Sequence, residues 1–272
     1  MTTKTNDTDV APGPPGRSVE KSVAMSCCLV IQHVEPEGPY GIADALRRAG
    51  VDIDLRQVFA DDPLPTEVGD IDGVVVMGGP MSAVSDRRFP TRRAELGLLA
   101  EAVQRGRPTL GVCLGAQLLA LAGGGTVYGG PDGPEIGWGP VQLTGKAGDD
   151  PLLVGLPDRL TVLHWHGDTY DTPPDCVPLV TNARYRDQAF RAGTRAWGFQ
   201  FHLEIDEAAV AAFLDAFGAD AGAAGTTPES IRAESAAALA NLAPHRTVVL
   251  SRFAELVAAV DRAPSVGLFP PR

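Results

Sequence analysis

The stretch PTLGVCLGAQLL, residues 108–119, runs from an apolar strand through Gly-x-Cys-x-Gly into the opening of a helix. Glycines two positions either side of Cys113 permit a very sharp strand-to-helix turn, the arrangement called a nucleophile elbow. Cys113 would then stand at the carboxyl edge of a strand, where open α/β sheets place their sites. The helix starting behind it aims free N–H groups and its positive end at the sulfur, which favours thiolate over thiol. The same turn sets the Leu114 N–H where it can meet an oxyanion. Taken alone, the motif is as readily a cysteine packed between two glycines, so the rest of the chain decides.

On either side, short apolar runs alternate with amphipathic stretches. Upstream, strands are expected at Cys27–Gln32, Val51–Val58 and Gly73–Met77. Helices are expected at Tyr40–Ala49, stopped by Gly50, and at Thr91–Arg105, stopped by Gly106. Thr109–Val112 is the strand before the elbow, and the helix after it should run to about Leu121. The Gly/Pro-rich run GGGTVYGGPDGPEIGWGP supplies turns between short antiparallel strands. Further strands are expected at Leu160–His164, Val177–Thr181 and Ala196–Phe201, then a helix at Asp206–Phe217. This is the pattern of an α/β fold with a mainly parallel open sheet flanked by helices and a small antiparallel insert.

Residues 1–24 are polar, rich in Pro and Gly and without hydrophobic periodicity, so they are expected to form a disordered tail. Met25, just before the first strand, offers an alternative start of translation. Residues 25–220 form the main domain. A C-terminal extension, 221–272, contains two helical patterns, Pro228–Leu242 and Arg246–Val260. Their apolar positions are too few for an independent core, so they should dock on the main domain or on a second copy of it.

With 34 acidic against 23 basic side chains, the formal charge is −11. Such a surface repels phosphate backbones and anionic headgroups, so nucleic acid and membranes are not expected partners. No apolar run reaches the roughly 18 to 20 residues that cross a bilayer, and the start lacks a signal-peptide apolar region, so a cytoplasmic location is expected. The four cysteines do not suggest a disulfide scaffold. Cys27 and Cys28 lie inside an apolar strand and read as core, and Cys176 sits in a loop without activating neighbours.

A thiolate acting on an amide needs a base to shuttle protons and a group to orient that base. The segment WGFQFHLE, residues 197–204, reads as a strand ending at His202, with Glu204 two positions on and therefore on the same side. Glu204 can then reach the ring nitrogen facing away from the sulfur. A third element, VMGGPMS at 76–82, follows a buried strand with a Gly-Gly-Pro turn. That turn exposes backbone N–H groups, and Gly79 becomes a second oxyanion donor. Taken alone, it is a tight turn.

Together GGP at 78–80, GVCLGAQ at 111–117 and FHLE at 201–204 resemble the class I glutamine amidotransferase family. The segments EIGW at 135–138 and HGD at 166–168 are similar to its stand-alone branch, which resembles the amidotransferase domain of guanylate synthetase. The resemblance covers about residues 25 to 215 and implies a flavodoxin-like core. It implies that Cys113 attacks the side-chain amide of glutamine to give a γ-glutamyl thioester. His202 would serve as acid and base, Glu204 would orient it, and Gly79 and Leu114 would hold the oxyanion. It also implies substrate contacts from Gln117 and from the loop His166, Gly167 and Asp168, with no cofactor. Two departures stand out. Leu203 replaces the usual proline, and the chain has no room for a synthetase, so an ammonia-accepting partner would be a separate subunit.

Other readings stay open. His164, His166 and Asp168 form an H-x-H-x-D spacing found in two-metal hydrolases. Such sites need further histidines, and His33, His202 and His245 stand in unrelated contexts, so no metal is expected. The glycines at 123–130 lack the third glycine of a nucleotide loop, because Tyr128 occupies its place. An independent γ-glutamyl hydrolase or peptidase would use the same thiol chemistry. A catalytically silent glutamine-binding regulatory module would not need thiol, base, acid and Gly-Gly turn together. Oligomeric state is not legible.

Overall fold

The computed structural model describes residues 25–260. The expected tail at 1–24, the question of a start at Met25 and the end of the extension lie outside the described residues.

A nine-stranded sheet runs in the order β2-β1-β3-β4-β11-β10-β9-β6-β7. Its parallel half comprises β1 (Cys27–Gln32), β2 (Asp52–Gln57), β3 (Gly73–Val76), β4 (Thr109–Val112) and β11 (Ala196–Phe199). The rest is antiparallel: β10 (Ala189–Ala192), β9 (Val177–Thr181), β6 (Glu135–Leu143) and β7 (Arg159–His166). A separate ribbon pairs β5 (Val127–Gly129) with β8 (Asp168–Tyr170). β8 and β10 have no counterpart among the expected strands. Both are only three or four residues long, too short to show a clear period-two signal.

Alternation along the central strands divides the core into two layers. Cys28, Val30 and Val75 face α1 (Tyr40–Arg48) and α5 (Pro228–Ala258), whereas Leu29, Ile31, Val74 and Val76 face α2 (Arg92–Gln104) and α3 (Leu114–Ala122). Cys28 is thus core, and all four cysteines are free thiols. A smaller apolar cluster, including Leu163, Ile205 and Phe213, joins β7 to α4 (Glu207–Phe217) and the start of α5. The Asp206 side chain caps α4 by accepting from the Ala209 N–H at 2.9 Å.

The two C-terminal helices expected from the sequence are one helix of 31 residues, α5. Pro244 lies inside it and removes one backbone donor, normally a cost of about 3 kcal/mol in a helix interior. Both halves are nonetheless anchored. Ile231 and Leu242 before the proline, and Val249, Leu250, Phe253 and Val257 after it, are each at most 3% exposed. Trp138 Nε1 also donates to Ser235 Oγ at 2.9 Å, and Arg252 donates to the Leu152 and Val154 carbonyls at 2.8 Å. The helix therefore closes the core of its own chain. Among the described residues no single helix is long and apolar enough to cross a membrane.

Candidate active site

Strand order reverses between β2-β1 and β1-β3, the kind of switch at which open α/β sheets form a crevice at the carboxyl ends of their strands. There Cys113 adopts φ 50° and ψ −105°, a strained conformation at the N-terminus of α3. A Cβ at Gly111 would lie 2.4 Å from the Gly115 carbonyl oxygen, and one at Gly115 would lie 2.0 Å from that of Val76. Both glycines are therefore required by backbone contact. The Cys113 N–H donates to the Phe199 carbonyl at 2.8 Å, which pins the elbow to β11. The sulfur, on a residue 6% exposed, lies 3.6 Å from the Trp165 carbonyl oxygen and 3.8 Å from Gln200 Nε2.

His202 sits beyond β11, not at the end of a strand. The parallel ladder stops at Phe199 because β4 ends at the elbow, and a single bridge, His202 N–H to the Leu163 carbonyl at 2.8 Å, carries the segment onto β7. The expected strand to Phe201 is thus too long by two residues, and ordinary strand alternation does not bring His202 and Glu204 together. Yet His202 Nδ1 lies 2.8 Å from Glu204 Oε1. Both residues are buried, Phe213 meets the imidazole edge to face at 4.8 Å, and Nε2 has no hydrogen-bond partner.

Burial pushes the Cys113 thiol above its ordinary pKa, while His202 and the Leu114 N–H pull it back. For His202 burial opposes the charged ring, but the charge of Glu204 and the interaction with Cys113 prevail and hold its pKa well above 6.5. Thiol and imidazole are thus coupled, with Glu204 favouring the protonated ring.

A cavity of about 530 Å³ opens over the sulfur, and Gly79, Gln117, His166, Gly167 and Asp168 all line it. Gln117 Nε2 donates to the Asp168 carbonyl at 3.2 Å and to Gln200 Oε1 at 3.3 Å. Gly167 offers its carbonyl to the Gly130 N–H, and Asp168 accepts from Ser82 Oγ at 3.5 Å. Of the expected site residues, Cys113, Gly79, Gln117, His166, Gly167 and Asp168 line this cavity, whereas Leu114, His202 and Glu204 are buried and do not line it.

The H-x-H-x-D grouping is resolved differently. Glu135, not Asp168, faces His164 and His166, with Glu135 Oε2 3.2 Å from His166 Nε2 and 3.9 Å from His164 Nδ1. The carboxylate also accepts from Asn182 Nδ2 at 2.9 Å and Gln188 Nε2 at 2.8 Å, which makes this a polar network behind the cavity. Burial lowers the His164 pKa to about 4, against the pull of Glu135. Burial acts the other way on Glu135, but the hydrogen bond from His166 and the neighbouring imidazoles keep its pKa below the ordinary value.

Two residues at the crevice escape the sequence reading. Glu37 lines the cavity, is 6% exposed, and its carboxylate fills the space where a Gly78 Cβ would stand, 1.8 Å from Oε2. Burial raises its pKa to about 7, opposed by His202 and His33 and assisted by Glu204. His33 is buried against the Gly78-Gly79 turn. The available signal was position. His33 follows β1 directly and Glu37 lies in the loop between β1 and α1, at the edge where sites collect.

Residues 39–214 match the family described as glutamine amidotransferase class-I. The glutamine amidotransferase-like protein YfeJ of Salmonella typhimurium is 34% identical over 164 residues, 59% of this chain and 68% of that protein. A GMP synthase [glutamine-hydrolyzing] of Porphyromonas gingivalis is 35% identical over 153 residues, 55% of this chain but only 28% of that protein's length. A solved glutamine amidotransferase from Thermotoga maritima superposes with a TM-score of 0.76 at 28% identity, covering 85% of this chain and 98% of the other.

Proposed function

The chain belongs to the class I glutamine amidotransferase family, and from that premise we propose that it hydrolyses the side-chain amide of glutamine through a γ-glutamyl thioester on Cys113. The observation that carries this reading is the order of groups around one buried imidazole. Glu204 lies 2.8 Å from Nδ1, and the opposite nitrogen is left without a partner beside a thiol that faces a cavity.

The Cys113 thiol passes its proton to His202 Nε2 as the sulfur attacks the amide carbon, and the carbonyl π pair moves onto oxygen. The Gly79 and Leu114 N–H groups receive that oxyanion. As it collapses, the C–N bond breaks and His202 delivers a proton to the nitrogen, which leaves as ammonia. His202 then takes a proton from water, hydroxide attacks the thioester, and glutamate departs as the thiol is restored. Glu204 keeps Nδ1 protonated throughout, so that Nε2 faces the chemistry. Gln117, His166, Gly167 and Asp168 form the wall against which the amino-acid end of the substrate rests. The ammonia passes to a separate synthetase, as the resemblance to part of a GMP synthase suggests.

The test is intact-mass analysis after exposure to the glutamine-like electrophile 6-diazo-5-oxonorleucine. The expected result is one adduct on Cys113, suppressed by free glutamine and absent from Cys113→Ala, which also lacks turnover. Protection by γ-glutamyl dipeptides but not by glutamine would support the independent γ-glutamyl hydrolase instead. No adduct on folded protein would refute the proposal.

A further inference from the structure

His33 is 2% exposed and belongs to no step of the chemistry above, yet its ring is held at both ends. Nδ1 lies 2.9 Å from the Gly78 carbonyl oxygen, and Nε2 lies 2.8 Å from Glu95 Oε2. Glu95 is fully buried on α2, and its other oxygen accepts from Thr91 Oγ1 at 2.7 Å. A carbonyl only accepts, so Nδ1 carries a proton; with Glu95 ionised, Nε2 donates as well and His33 is an imidazolium paired with Glu95. Burial opposes that charge, but the bond to Glu95, its charge and the Gly78 carbonyl outweigh burial and raise the pKa.

The carbonyl that His33 grips belongs to the same planar trans peptide as the Gly79 N–H, so the two point in opposite directions. Fixing the carbonyl inward turns the N–H outward. Gly79 lines the cavity over Cys113, and its N–H donates to no other group among the described residues. The turn also rests on the His33 side chain, since a Cβ at Gly79 would lie 3.0 Å from the His33 Cβ.

We propose that His33, locked by Glu95, is a positioning residue for the oxyanion site, gripping the Gly78 carbonyl so that the Gly79 N–H is aimed and polarised toward the oxygen of the tetrahedral intermediate. This rests on the reading that the Gly79 N–H receives that oxyanion. A charged donor on the carbonyl draws electron density through the amide, which strengthens the N–H as a donor.

The test uses two near-isosteric substitutions, His33→Leu and His33→Asn, each combined with Glu95→Gln so that no buried carboxylate is left unpaired. The Asn amide restores a donor at the place of Nδ1, and Leu does not. For glutamine hydrolysis, the Leu double variant should lose roughly 10- to 100-fold in kcat, less than the 10²–10³ that follows complete removal of an oxyanion donor. KM should stay within about 3-fold, because the ground-state carbonyl gains less from the N–H than the oxyanion does. The Asn double variant should recover much of the loss. Alkylation of Cys113 by iodoacetamide, a displacement that builds no oxyanion, should be unchanged in both. The Gly79 amide-proton resonance should move upfield in the Leu double variant and return in the Asn one, whether or not the chain turns over.

Equal kcat in the two double variants, alkylation slowed as much as hydrolysis, or an unmoved Gly79 resonance would overturn the role of His33. A wild-type protein that hydrolyses no glutamine, with the Gly79 resonance still moving in the Leu double variant and returning in the Asn one, would overturn the proposed function and leave the positioning intact. Glu95→Gln alone, which leaves the Nδ1 donor but removes the full charge, is the milder variant. It should show a smaller shift in the same direction, and no shift there counts against the proposal.

Discussion

Replacing Glu37 with Gln sets two opposing effects against each other. Burial favours the neutral carboxyl, while His202 and His33 favour the carboxylate, and the balance leaves a group ionising at about 7 instead of 4.5. A group that holds its proton more tightly folded than unfolded stabilises the fold fully below 4.5 and loses that contribution as pH rises through 7. Integrating the linkage from about pH 5 to about pH 8 gives a loss of about 2.5 kcal/mol in wild type. The group is 6% exposed, so little of this is screened by solvent. Glu37→Gln keeps the shape over Gly78 and removes the titration. Urea unfolding of both proteins near pH 5 and pH 8 should therefore show the variant gaining on wild type by about 2–3 kcal/mol across that range. A difference that stays flat within about 0.5 kcal/mol would refute the claim that burial sets the protonation of Glu37. A slope of opposite sign would mean that the two imidazoliums win, with Glu37 an ordinary ionised partner of His202.

The roles proposed for the other residues predict graded losses. His202→Ala should lower kcat for glutamine by about 10³-fold or more, and Glu204→Gln by less, since the latter removes only the orienting group; equal losses in two folded variants would question that division. Gly115→Ala drives a Cβ to 2.0 Å from the Val76 carbonyl oxygen. It should cost at least about 3 kcal/mol in guanidinium unfolding, the upper end for an overpacked core, and a near-neutral result would mean that the elbow can open.

The elbow and the parallel half of the sheet were legible because both rest on local chemistry. Glycine spacing, four-residue apolar runs and helix stops are written in adjacent residues, and β1, β3, β4 and α3 lie within a residue of the expected bounds. The errors fall where a distant contact decides. Two helical patterns, Pro228–Leu242 and Arg246–Val260, are expected on either side of Pro244, and the burial of Leu242 and Val249 flanking it carries α5 through as one helix. His202 reads as a strand end because the sequence does not reveal that β4 stops under the elbow and that Leu163 takes over the pairing. The pairing of His202 with Glu204 was expected from alternation, and it forms in irregular chain instead.

His33 and Glu37 show what kind of information was missing. Each is an unremarkable polar residue following a strand, and no local spacing links it to Cys113. What links them is strand order. Because β1 lies directly beside β3, the chain leaving β1 passes next to the chain leaving β3, and that second segment is the Gly78-Gly79 turn. Glycine at 78 then leaves room for the Glu37 carboxylate, and glycine at 79 leaves room for the His33 side chain. The GGP signature thus has two physical demands behind it, bare N–H groups toward the cavity and bare Cα atoms toward β1. Read alone, the motif discloses only the first. The second follows once β1 and β3 are known to be neighbours, and it makes the residues after β1 part of the same site as the thiol.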